Sequence, residues 1–152
     1  MANGETAMND APRIDWHEDL RQPGREKVRA LLLDDDDVDI AMFSRLSDRS
    51  RHIEFDLVAC RTIPEARAEL EKRRFDVVFV DYWLGMETSI AFVHEFARAH
   101  DVPAILLTGL DEPEIRRVAF RAGVEAFLAK DELSTQALES VTLAVLRHHA
   151  KL

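Results

Sequence analysis

The chain has 152 residues, 47% of them apolar and 32% charged, which is enough for one domain with a packed core and short for two. A net charge of −9 argues against a nucleic-acid or anionic-membrane surface. The lone Cys60 rules out an internal disulfide framework and fits a reducing compartment. No apolar run approaches the ~18 residues of a membrane span, and the N-terminus has no apolar signal core, so the expected location is cytoplasmic.

Residues 1–26 are polar and punctuated by Gly4, Pro12, Pro23 and Gly24, so they read as an N-terminal extension to a domain over 27–152. Within it, Ile14, Trp16, His17 and Leu20 fall close to helical spacing, a short stripe that would dock on its own domain or on a second copy. A frayed terminus is the default for such a segment.

From Val28 onward, apolar runs alternate with helical patterns. VRALLL is a continuous run of strand length, followed by a helix through IAMFSRLSDR. EFDLVAC alternates like a half-buried edge strand. TIPEARAELEKR is a helix with Thr62 as N-cap and Pro64 in its first turn. FDVVFV is a buried strand, and SIAFVHEFARAH a helix with Ile90, Val93, Phe96 and Ala97 on one side. VPAILLT is another buried strand, and EPEIRRVAFRAG a helix with Gly123 in the C-cap place. VEAFLA is a short strand, and Ser134 opens the long amphipathic helix STQALESVTLAVLRHHA. Its final His148 and His149 read as charges favoured by the helix dipole.

Five strands alternating with five helices indicate an α/β fold with a mostly parallel sheet. Strands apolar on both faces are what such a sheet requires, because helices cover both sides. Ligands of open parallel sheets collect at the carboxyl ends of the strands. There the first strand ends in Asp34, Asp35 and Asp36, the third in Asp81, the fourth in Thr108 and the fifth in Lys130. LLLDDDDVD places five carboxylates directly behind three leucines. Neighbouring carboxylates disfavour one another's ionisation, so the cluster costs stability unless positive charge sits there.

In LLLDDDD, FDVVFVDYWLG, PAILLTG and AFLAKDELS, in that order, the chain resembles the receiver domain of two-component response regulators. The resemblance runs from about Val28 to Ala150 and supplies what periodicity does not: a flavodoxin-like, doubly wound five-stranded sheet of order 2-1-3-4-5. It implies that Asp81 is the phosphoacceptor, taking a phosphoryl group from a histidine kinase or histidine phosphotransfer protein. It implies Mg²⁺ held by Asp34, Asp35, Asp81 and the backbone carbonyl of Trp83, which would neutralise the acidic cluster. Thr108 and Lys130 would stabilise the phosphoryl group, and Phe127 would turn inward as Thr108 moves. Output would pass to a downstream protein through the fourth helix, fifth strand and fifth helix, with homodimerisation left open. Trp83 and Leu110, two past the phosphoacceptor and the threonine, would exclude the hydrolytic water and lengthen the lifetime of the phosphoprotein. No DNA-binding or enzymatic segment follows the last helix, so the expectation is a stand-alone acceptor that is not a turnover enzyme.

The pattern departs from the family at Gly85, where proline is usual, at METS, which lacks a usual glycine, and at Asp131, where proline usually follows the lysine. A cis bond before a non-proline residue costs about 2.5–4 kcal/mol, so a trans peptide is expected there. Two alternatives remain. A haloacid-dehalogenase-like phosphatase would use Asp34 and Asp36, but leaves Asp81 without a role. A phosphorylation-independent pseudo-receiver would act as a binding module. HEFARAH lacks the second histidine of a zinc-protease helix, since Arg98 stands in its place, and His94 reads as solvated.

Overall fold

In β1 (Glu26–Leu33), every residue from Ala30 onward is buried, as an interior strand covered on both faces must be. The computed structural model describes residues 24–109 and 113–150. The stripe of Ile14, Trp16, His17 and Leu20 lies outside the described residues, and so does Leu110. β1 pairs in parallel with β2 (Ile53–Cys60) on one side and with β3 (Val77–Asp81) on the other. β3 continues the sheet to β6 (Ala104–Thr108), which pairs with β7 (Val124–Ala129). The order β2-β1-β3-β6-β7 is the doubly wound sheet that the family resemblance implies, with the alternating strand β2 at one edge.

Side chains of successive strand residues point to opposite faces, so the sheet builds two cores. Leu31, Leu33, Val78, Val80 and Leu106 meet α2 (Ile63–Lys72), α3 (Ile90–His100) and α4 (Pro113–Ala122). Ala30, Leu32, Phe79, Ile105 and Leu107 meet α1 (Asp37–Asp48) and α5 (Thr135–Ala150). Phe43 of α1 packs edge-on against Phe79, with centroids 4.9 Å apart. Thr62 Oγ1 caps α2 by accepting from Glu65 N, and Ser134 Oγ accepts from Ala137 N at the start of α5. Gly123 closes α4 with φ +115°.

A two-stranded hairpin, β4 (Trp83–Leu84) and β5 (Glu87–Thr88), was not foreseen. It accounts for Gly85 in place of the usual proline. Gly85 has φ +66° at the first position of a two-residue loop, where type II′ hairpin turns favour glycine. No cis peptide bond occurs among the described residues; Lys130–Glu132 form a short 3₁₀ turn.

α5 is tied down at three points. Thr135 Oγ1 donates to Leu46 O at 2.8 Å, bridging to the last turn of α1. Buried Glu139 accepts from Ser50 Oγ at 2.5 Å, Arg51 N at 2.8 Å and His52 N at 3.1 Å. Burial opposes its charge, but these donors outweigh that and hold its carboxyl below the usual range. Its stabilisation is therefore present above the unfolded-state pKa and is lost as pH falls through the folded one. Glu139→Gln should lower stability by about 1–2 kcal/mol at pH 7, read as an earlier urea midpoint with unchanged slope.

At the far end both terminal histidines lie in the last turn of α5, but their surroundings differ. His148 is exposed. His149 Nδ1 lies 2.8 Å from Glu125 Oε2, and its Nε2 lies 3.1 Å from Asp101 O. Burial opposes its protonation, yet the bonds to Glu125 and Asp101 raise its pKa on balance. Among the described residues no helix is long and apolar enough to cross a membrane.

Candidate functional site

Three strand ends and the segment after β7 bring the site together. The chain leaves β1 at Asp34, whose backbone N–H extends the ladder to Cys60 O at 3.0 Å. That tie holds Asp34 almost wholly buried, at 1% exposure, with Oδ1 accepting from Asp36 N at 3.0 Å. Asp35 is exposed beside it, and Asp81 closes β3. One carboxylate oxygen each of Asp34, Asp35 and Asp81 lies within 4.8 Å of the others. Thr108 closes β6 and is buried, and Lys130 follows β7 directly. Asp36 does not join this group. Its Oδ1 accepts from Val38 N at 2.8 Å and caps α1, so the phosphatase alternative loses its second acid to a structural task.

Lys130 is the hub. Its Nζ lies 2.7 Å from Asp39 Oδ2, 3.0 Å from Asp34 Oδ2 and 3.1 Å from Asp81 Oδ2. Burial opposes its charge, but the bonds to Asp39 and Asp34 dominate and keep it protonated. Asp39 was missed because the helix was expected to begin at Ile40. The available signal was Asp36, since an N-cap there puts Asp39 in the first helical turn, beside the strand end.

The electrostatics are out of balance. Burial, then the charge of Asp34, pushes Asp81 up to about 6 despite Lys130. Burial likewise raises Asp34. Three carboxylates thus contact one ammonium, with Asp35 as a fourth acid beside them. Asp34, Asp35 and Asp81 present hard oxygen donors to one point, which is the donor chemistry a Mg²⁺-sized cation takes. The residues fit such an ion.

Of the remaining expected residues, Trp83 and Phe127 are among those described. Trp83 opens β4 two residues past Asp81, 48% exposed, its ring edge-on to Tyr82 at 5.3 Å. Phe127 is half-buried on β7, edge-on to Phe120 at 5.3 Å, with the Arg116 guanidinium 5.0 Å from its centroid.

The family model for the response regulator receiver domain matches residues 30–142. The chain is similar to the regulatory protein VirG of Agrobacterium tumefaciens (strain 15955), at 29% identity over 124 residues covering 80% of this chain. It spans 45% of the length of that curated relative. Solved structures share the fold. The signal receiver domain of an HD domain-containing protein from Pseudomonas fluorescens Pf-5 has a TM-score of 0.72 at 20% identity, covering 84% of this chain and all of that one. A CheY-like response regulator receiver domain protein from Methanospirillum hungatei JF-1 has a TM-score of 0.68 at 20% identity, over 83% of this chain and 98% of that one. With the sheet order, the acids at the ends of β1 and β3 and the matched span in agreement, the chain belongs to the response regulator receiver domain family.

Proposed function

We propose that this receiver accepts a phosphoryl group on Asp81 from a histidine kinase or histidine phosphotransfer protein. The observation that carries this is the position of Asp81. It closes the central strand, 3.1 Å from Lys130 Nζ and grouped with Asp34 and Asp35. An oxygen of Asp81 forms the bond to phosphorus as the bond from phosphorus to the donor imidazole breaks and its electron pair leaves with the ring. Asp34, Asp35 and Asp81, with the backbone carbonyl of Trp83, would hold Mg²⁺. When bound, the cation supplies charge neutralisation for the incoming anion. Lys130 donates to the phosphoryl oxygens, and the Thr108 hydroxyl moves to do the same. Phe127 follows that movement, and the α4, β7 and α5 face carries the change to a downstream protein. The role is that of a phosphorylated cytoplasmic switch rather than a turnover enzyme. Intact mass after incubation with acetyl phosphate and Mg²⁺ tests this: one phosphoryl group per chain is expected, and none would overturn it.

The same reading sets an expectation for lifetime. The family resemblance gives Trp83 and Leu110 the two sequence positions that flank the path of the attacking water, and both residues are bulky and apolar. Trp83→Asn/Leu110→Glu should lose phosphate at least about tenfold faster, since each ~1.4 kcal/mol off the barrier is tenfold in rate. Equal decay of variant and wild type would remove both residues from that role.

A further inference from the structure

An ammonium has three N–H donors, and on Lys130 three carboxylates take them. Two, Asp34 and Asp81, belong to the group whose oxygens converge as cation donors; Asp39 does not. Asp39 makes the shortest of the three contacts, at 2.7 Å, and comes from a different element. Its backbone is fixed in the first turn of α1, where Asp39 N donates to the capping Asp36 Oδ1. A lysine head is a point charge on a flexible four-carbon stem, so something must hold it in place. Once Asp34 and Asp81 are engaged by a cation and a phosphoryl group, Asp39 is the contact of the three that persists. The cavity beside the ammonium, between Met42, Phe43, Leu107 and Leu133, is about 20 Å³, room for one water.

We propose that Asp39 is a positioning residue for phosphoryl transfer. It holds Lys130 Nζ beside Asp81 so that the other two N–H groups can donate to the transferring phosphoryl oxygens. The proposal rests on Asp81 being the phosphoacceptor. With acetyl phosphate, an Asp81 oxygen bonds to phosphorus, the bond from phosphorus to the acetate oxygen breaks, and acetate leaves with the electron pair. Lys130 stays protonated throughout, and Asp39 exchanges no proton. A field effect alone has the opposite sign, because Asp39 adds negative charge near an incoming anion and its removal would then speed transfer.

The test is the rate of phosphorylation of the full chain by acetyl phosphate at saturating Mg²⁺, followed by intact mass. Asp39→Asn should be about 10–100-fold slower than wild type, the scale of a misplaced catalytic group, with little change in the Mg²⁺ concentration for half-maximal rate. Asp39→Glu should recover part of the loss. In the Lys130→Ala background, Asp39→Asn should cost nothing further, because both changes remove one interaction. A wild-type or faster rate in Asp39→Asn overturns the proposal, and so does an undiminished loss in the Lys130→Ala background. A wild-type chain that takes up no phosphoryl group removes the Asp81 reading and this one together. A phosphorylated wild type with an unchanged Asp39→Asn removes this one alone.

Discussion

Asp81→Asn is expected to take up no phosphoryl group from acetyl phosphate, with intact mass unchanged where wild type gains one phosphate per chain. An amide keeps the shape of the carboxylate but presents no anionic oxygen to phosphorus. The neighbouring acids are not placed to substitute. Asp34 is almost wholly buried, with its oxygens committed to Asp36 N and Lys130, and Asp39 is committed to Lys130. Asp36 is used as the cap of α1. Asp35 is free of such ties but is exposed, without the strand-end confinement that fixes Asp81 next to the lysine. Asp34→Asn and Asp35→Asn should instead weaken Mg²⁺ first, slowing uptake at low cation and recovering at high cation. Undiminished phosphorylation of Asp81→Asn would transfer the acceptor role elsewhere.

The same substitution should make the cation-free protein more stable at pH 7, by up to about 3 kcal/mol. Asp81 is raised from 3.8 to about 6, chiefly by burial, and each pKa unit is worth about 1.4 kcal/mol. Its side chain is 14% exposed, so solvent screens little of this. Well below pH 4 the acid is neutral in both folded and unfolded chains, and the variant should gain least. Between pH 4 and 6 the folded chain holds the proton that the unfolded chain has released. The contribution of this group to stability therefore falls as pH rises, and above 6 the penalty is constant. Urea melts of both proteins in a chelator at pH 4, 5, 6, 7 and 8 should show a gap that opens to pH 6 and then stays level. Adding Mg²⁺ should shrink the gap by stabilising wild type more than the variant, which lacks one of the three carboxylates. A gap that does not widen between pH 4 and 6 would mean that Lys130 already compensates the buried charge.

The frame was readable in the chain because interior parallel strands leave an unambiguous mark. VRALLL, FDVVFV and PAILLT are apolar on both faces, and residues closing a parallel strand collect at one end of the sheet. Asp34, Asp81, Thr108 and Lys130 were therefore placed correctly at strand ends from local pattern alone. What escaped depends on partners far away in sequence. Asp39 meets a lysine 91 residues on, and Ser50 meets Glu139 across 89 residues, with no periodicity to announce either pairing. In an amphipathic helix Glu139 looks like any solvated glutamate until the backbone turn at residues 50–52 is packed against it. The β4–β5 hairpin escaped for a different reason. Two-residue strands are too short to show alternation, and Gly85 was weighed as an absent proline rather than as a turn residue.

The anchoring of α5 has a mechanical consequence. Thr135 and Glu139 tie its first two turns to the end of α1 and the turn that follows, and His149 ties its last turn to β7. Neutral hydrogen bonds are each worth about 1 kcal/mol and those to charged groups about 1.5–3, so sliding or tilting this helix as a unit breaks several kcal/mol of contacts at once. α5 is a strut rather than a lever. If the face it shares with α4 and β7 changes shape, the hinge belongs on the other side, where Phe127 sits between Phe120 and Arg116 in contacts that a ring rotation can exchange.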